Sequence, residues 1–167
     1  MKNLGNIHKK ILPLRKLKIK AMKLTDEWFT ALAEDESGST IIISGRDNIE
    51  PFRVSGKFKN RIEVTWNYNG EAMPTDEEAK LMESVGDALR TGAEKNKLAI
   101  LTGVYTGAGK RIWVFYSRHT GAFGEMLNEA LSTFELLPIT IYSEIDVDWD
   151  DYLGTLELKC CSDSDEE

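Results

Sequence analysis

Lys97-Leu-Ala-Ile-Leu-Thr-Gly-Val-Tyr-Thr-Gly-Ala-Gly-Lys-Arg-Ile-Trp-Val-Phe-Tyr-Ser-Arg118 is the stretch whose reading decides the fold. Two runs rich in β-branched and aromatic residues, 97–106 and 110–118, flank the glycine-rich turn Thr106-Gly107-Ala108-Gly109. Glycine supplies the backbone freedom that a tight hairpin demands, so the stretch predicts two antiparallel strands.

A helical pattern stands on each side of this hairpin. Upstream, Pro74 stops the chain and Thr75-x-x-Glu78 forms a capping box, in which hydroxyl and carboxylate each satisfy an orphan backbone amide. The helix it opens carries an apolar stripe through Leu81, Met82, Val85, Ala88 and Leu89, and Gly92 weakens its last turn. Downstream, Thr120 is positioned to cap a helix with the stripe Phe123, Met126, Leu127, Ala130, Leu131 and Phe134.

Strands are expected beyond both helices. Residues 60–68 alternate, with Ile62, Val64, Trp66 and Tyr68 on one side and Arg61, Glu63 and Thr65 on the other. Pro138 introduces a last strand, 139–145, with Ile139, Ile141 and Ile145 on one face. Residues 58–146 therefore read as strand, helix, hairpin, helix, strand. This is an α+β, ferredoxin-like β-α-β-β-α-β unit: an open antiparallel sheet with two helices. Right-handed crossovers place both helices on the same face.

Further elements flank the unit. Residues 25–33 and 40–44 read as strands around the turn cluster 34–39, so an N-terminal hairpin extends the core, and 46–57 is a connecting loop. Residues 148–158 read as a short closing helix around Trp149, Tyr152 and Leu153. The expected organisation is a basic lead (1–23), one α+β domain (24–158) and an acidic tail (159–167). Within the domain, 24–57 is hairpin and loop, 58–146 the core and 147–158 the closing segment. The tail is expected to be frayed and solvated.

Charge is distributed unevenly. Residues 1–23 hold eight basic residues and no acidic one. From Leu24 onward 13 basic residues face 28 acidic ones, a net charge of about -15. Such a body repels nucleic-acid phosphate and favours a basic protein partner. In the lead, Ile11, Leu12, Leu14, Leu17 and Ile19 are interleaved with Arg15, Lys16 and Lys18, which is not the unbroken apolar stretch of a secretory signal. The leading reading is that translation starts at Met22, making the upstream segment a start-site artefact or a disordered lead. A basic arm for RNA or anionic lipid is the alternative. No apolar run approaches the ~20 residues of a membrane helix. The adjacent Cys160 and Cys161 suit neither an unstrained disulfide nor a metal site. A reduced, cytoplasmic protein follows.

Signatures of catalysis, cofactor binding and metal binding are missing. The histidines, His8 and His119, stand alone. No serine or cysteine has a spaced partner that would make it a nucleophile. Gly103-x-x-x-Gly107-x-Gly109-Lys110 has the wrong spacing for a phosphate loop and lies in a strand hairpin. The cluster Asp146, Asp148, Asp150 and Asp151 lacks the glycine and closing glutamate of a calcium loop and reads as a solvated acidic turn.

The sheet face away from the helices is the candidate binding surface. If Ile62, Val64, Ile112, Val114, Ile139 and Ile141 face the helices, pleating sends Arg61, Glu63, Arg111, Trp113, Phe115, Tyr142 and Glu144 to the opposite side. These seven are the candidate partner-binding residues. A competing expectation is that the N-terminal hairpin, with Trp28, Phe29, Ile41 and Ile43, folds over that face and buries it. Lys110-Arg-Ile-Trp-Val-Phe-Tyr116 has a passing likeness to a strand of RNA-recognition modules, but the glycine position fails and the charge is negative.

Several ordered anchors carry a resemblance: Trp66-x-Tyr68, Met73-Pro74, Leu98 through Gly107, Arg111 through Tyr116, Phe123, Leu127-Asn128, Pro138-Ile139 and Asp148-Trp149-x-x-Tyr152. Together they resemble the bacterial "domain of unknown function 695" family over about Trp28 to Leu156. That resemblance brings no established activity and no catalytic residues. A more distant fold-level likeness joins the family to the ribonuclease E inhibitors, small acidic proteins that act by binding a protein. The basic lead and the Cys-Cys tail have no counterpart in the pattern. The expected function is a non-catalytic, protein-binding or regulatory module of the bacterial cytoplasm, a ribonuclease regulator or toxin neutraliser. The alternatives are a small-molecule site among Arg61, Arg111, Trp113 and Tyr142, with arginines holding an anion, and a homodimer built from paired open faces.

Overall fold

The computed structural model describes residues 22–68 and 73–164, with side chains through Lys159. The elements run β1 (Trp28–Glu34), β2 (Thr40–Arg46), α1 (Glu50–Val54), β3 (Asn60–Asn67), α2 (Asp76–Glu94), β4 (Ala99–Gly107), β5 (Lys110–Ser117), α3 (Thr120–Ala130), β6 (Ile139–Ile145) and α4 (Asp150–Ser164). Six strands form one sheet in the order β1-β2-β4-β5-β3-β6, antiparallel at every pairing. The fold is α+β, as the alternation of strand and helix patterns predicts. β5 lies between β3 and β4, and β3 lies between β5 and β6, so each helical crossover skips one strand.

Local chemistry explains the elements. Thr75 Oγ1 accepts from the Glu78 amide at 3.2 Å, and the Glu78 carboxylate accepts from the Thr75 hydroxyl at 3.3 Å, which opens α2. The β4–β5 turn places Ala108 and Gly109 at φ 54° and 79°, the left-handed pair that a two-residue hairpin requires. α3 is capped one residue earlier than expected: His119 Nδ1 accepts from the Ala122 amide at 3.0 Å. Residues 50–54, expected as loop, make the short helix α1 with Pro51 in its first turn. The closing helix is longer than expected and runs to Ser164, past the predicted end at 158. Residues 1–21 of the basic lead and the thiols of Cys160 and Cys161 lie outside the described residues.

The sheet has a packed layer on each face. On one side, α2 and α3 bury Met82, Val85, Leu89, Phe123 and Leu127 against Ile62, Val64, Trp66, Leu101, Trp113 and Phe115. Complete burial of one such side chain contributes about 1.5–3 kcal/mol. On the other side, α1 and α4 bring Ile49, Phe52, Trp149 and Tyr152 onto Phe58, Ile100, Val114 and Tyr116. A bulge at Thr102 changes the phase of β4, so that Leu101 pairs with Phe115 but Val104 pairs with Trp113. The bulge keeps both Leu101 and Val104 on the α2/α3 side.

Two expectations need correction. Trp113 and Phe115 point toward α2 and α3, not away from them. Val64 pairs with Trp113 and Ile62 with Phe115, and directly paired residues share a face. Ile112 and Val114 therefore occupy the α1/α4 side. The N-terminal hairpin does not fold over the sheet either: β2 pairs with β4, so the hairpin widens the sheet by two strands. The cover on the α1/α4 side comes from those helices.

Candidate functional site

The pairing divides the seven candidate residues into two groups on opposite faces. Arg61, Glu63, Tyr142 and Glu144 stand together, because Arg61 pairs with Glu144 and Glu63 with Tyr142 across β3 and β6. Arg111, Trp113 and Phe115 lie on the α2/α3 side, Arg111 opposite Trp66. Trp113 is 3% exposed and Phe115 fully buried, so both belong to the core.

Arg61 organises the first group. Its side chain is 8% exposed, and it donates from Nε to Asp151 at 2.8 Å, from Nη2 to Glu63 at 2.7 Å and from Nη1 to Glu144 at 3.4 Å. Burial alone would lower its proton affinity, but Glu63 and Asp151 more than offset this and hold it above the ordinary guanidinium value. The Tyr142 hydroxyl donates to Glu144 at 3.1 Å. Asp151 lies in the first turn of α4, and sequence reasoning left it in the acidic turn; only the packing of α4 brings it to Arg61.

The turn after β6 adds charge beside this cluster. Asp146 accepts from the Tyr116 hydroxyl at 2.7 Å and from the amides of Asp150 (2.9 Å) and Asp151 (3.2 Å). Burial pushes its carboxyl up, and these three donors outweigh that and hold it below the usual carboxylate range. Asp148 and Asp150 are exposed. Exposed apolar side chains share this edge: Tyr142 (54% exposed) lies on the carboxylate face, Ile141 (51%) and Ile145 (76%) lie on the other face of β6, and Val147 (49%) lies in the turn that follows. An edge strand that mixes exposed isoleucine and tyrosine with carboxylates differs from a merely solvated rim.

The second group borders a groove of about 490 Å³ between α2 and the β2–β4–β5 part of the sheet, lined among others by Trp28, Ser44, Asp87, Arg90, Arg111 and Trp113. Arg111 Nε donates to Thr106 Oγ1 at 3.0 Å, and among the described residues it has no ion-pair partner. Burial lowers its proton affinity despite the favourable field of Glu83. Arg90 is engaged by Asp26 and Glu94 at 2.8 and 3.0 Å.

One buried charge was missed in the sequence. Arg46, 1% exposed, ends β2 and donates to Glu94 at 2.8 Å, to the Leu101 carbonyl at 3.1 Å and twice to the Thr25 carbonyl. It also stacks on the Trp28 ring at 4.8 Å. It ties the N-terminal hairpin to α2, a structural task. No local pattern marks it, because its side-chain hydrogen-bond partners lie 21 to 55 residues away.

The antiparallel sheet with helices on both faces and an acidic edge defines an α+β protein. By sequence profile the chain belongs to the family of unknown function DUF695, which matches residues 26–157. No curated protein and no solved structure matches it. No helix among the described residues is long and apolar enough to cross a membrane.

Proposed function

We propose that this protein is a non-catalytic binding or regulatory module that presents the β6 edge and the adjoining acidic turn to a basic protein. The observation that carries this reading is the surface built by Glu63, Glu144, Asp146, Asp148, Asp150 and Asp151. Those six carboxylates are balanced locally by the Arg61 guanidinium and joined on the same face by exposed Tyr142, while exposed Ile141 and Ile145 lie on the other face of the same edge strand. Charge of one sign steers a basic partner in, and the apolar side chains supply area to bury. Ribonuclease regulation and toxin neutralisation are the two specific forms of this function. A tagged full-length chain expressed in its native host should retain a stoichiometric basic partner. That partner should be lost at high salt and in the Glu144→Lys, Asp148→Lys double variant. Recovery of no stoichiometric partner defeats the proposal.

A second reading rests on Arg111. A half-buried guanidinium with no ion-pair partner among the described residues, in a groove with Trp28 and Trp113, suits a small anion carrying an apolar group. A metabolite screen by thermal shift tests it: a saturable stabilisation abolished by Arg111→Ala supports the groove as a ligand site, and no such shift removes it.

A further inference from the structure

The floor of the groove beside α2 is made of two rows of paired residues. Ile42 pairs with Thr106 and Thr106 with Arg111; in the next row Ser44 pairs with Val104 and Val104 with Trp113. Directly paired residues share a face, so all of them point toward α2. Across the groove, α2 contributes Glu83, Gly86 and Asp87 to the wall.

The floor carries donors that the protein does not use. Trp113 is 3% exposed, yet its indole N–H has no acceptor among the described residues. Thr25 Oγ1 is the one enclosed side-chain nitrogen or oxygen among them that lacks a partner, so Trp113 Nε1 is open to the groove it lines. Gly86 keeps it open: a Cβ there would lie 2.8 Å from Nε1, the distance of a hydrogen-bond acceptor, and would cover it. Arg111 donates from Nε to Thr106 Oγ1, and its two terminal nitrogens are unbonded among the described residues. The wall carries acceptors. Glu83 and Asp87 are exposed and hold no hydrogen bond or ion pair among the described residues.

Donors on the sheet and carboxylates on the helix suit neither a simple anion nor a simple cation. Glu83 and Asp87 repel inorganic phosphate, and Arg111 repels an amine. A zwitterion satisfies both sides. Its carboxylate takes the Arg111 fork and the Trp113 N–H, while an ammonium one carbon away faces the helix. Ile42 and Val104, on the same floor, offer contact to an apolar side chain. A groove of about 490 Å³ has room for such a molecule.

We propose that this groove binds an α-amino acid with an apolar side chain, its carboxylate held by Arg111 and Trp113 Nε1 and its ammonium by Glu83 and Asp87. The inference rests on the Arg111 ligand site given above as the second reading, and it names the class of ligand.

Titration calorimetry of the full-length chain with L-leucine, L-isoleucine, L-methionine and L-phenylalanine is the test. At least one should bind saturably. The matching carboxylic acid without the amino group should bind at least about tenfold more weakly, the value of one charge-assisted hydrogen bond. Binding should also move the Trp113 indole proton resonance, assigned by its loss in Trp113→Phe. Glu83→Gln with Asp87→Asn changes only exposed side chains, so it should fold and bring the amino acid down to the affinity of the acid. Arg111→Met should abolish binding of both. An acid that binds as tightly as the amino acid, or an indole proton that stays in place, overturns the inference. Failure of every amino acid to bind overturns it as well, and an Arg111-dependent hit in the metabolite screen would then leave the small-anion reading standing.

Discussion

Arg61 and Asp151 are 90 residues apart in sequence and joined by a 2.8 Å bond from Nε to the carboxylate, which ties the strand beside the sheet edge to the first turn of α4. The guanidinium is almost wholly buried, while Asp151 and Glu144 are each 43% exposed. Loss of the arginine therefore leaves three carboxylates crowded together, whereas loss of one carboxylate leaves a cation that still has two partners. Arg61→Met should destabilise the fold by about 2–4 kcal/mol, and Asp151→Asn by about 1 kcal/mol or less. Chemical denaturation of both variants checks the asymmetry; equal losses would contradict it.

Gly86 on α2 lies beneath the Trp113 indole, and a Cβ there would come 2.8 Å from Nε1. Alanine normally gains about 1 kcal/mol over glycine inside a helix. Here the ring must move within a packed core, so Gly86→Ala should instead lower stability by about 1–3 kcal/mol and shift tryptophan emission. A thermal midpoint at or above that of the parent protein would refute the close packing.

The alkaline limit should be set by two buried tyrosines. Burial pushes the Tyr152 hydroxyl up to about 12, and burial with the nearby Asp146 raises Tyr116 further. Tyrosines in the unfolded chain ionise near 10, so the folded state holds these protons more tightly. Their contribution is complete below about pH 10 and declines as pH rises through the folded values. Absorbance at about 295 nm during an alkaline titration should show two phenolates appearing together with unfolding. Tyr152→Phe should remove one of them.

Asp146 governs the acid side with the opposite sign. Its folded value lies below the ordinary carboxylate value, so the unfolded chain binds the proton more readily. The stabilisation is present above about pH 4 and is lost as pH falls through the folded value. Asp146→Asn should lower stability at neutral pH and flatten the pH dependence below about 4. Denaturation midpoints measured from pH 2 to 6 distinguish the two proteins; parallel curves would contradict the assignment.

The N-cap at Thr75, the turn at Gly107 to Gly109 and the alternation in residues 60–67 were legible because each is a local rule. A cap depends on residues three apart, a two-residue turn on residues that tolerate positive φ, and a strand on period two. The order of elements and the α+β class follow from these signals. Tyr142 and Glu144 were placed beside Arg61 and Glu63 for the same reason, since pleating of two well-marked strands sorts their side chains.

β5 shows where local rules stop. In Arg111-Ile112-Trp113-Val114-Phe115-Tyr116, both alternating sets are apolar, so period two divides the residues into two classes without saying which faces α2 and α3. Both faces of the strand are buried, one by α2 and α3 and the other by α1 and α4. Only the register against β3 places Trp113 beside Val64. The buried roles of Arg46 and Arg61 were likewise settled by partners supplied from distant elements. By itself the sequence determined the six strands, the two helices that cross over the sheet, their order and the excess of acidic residues, but not the short helix α1. Tertiary structure decided which aromatic residues became core and which carboxylates met an arginine, because burial depends on what packs opposite a residue and not on its neighbours in the chain.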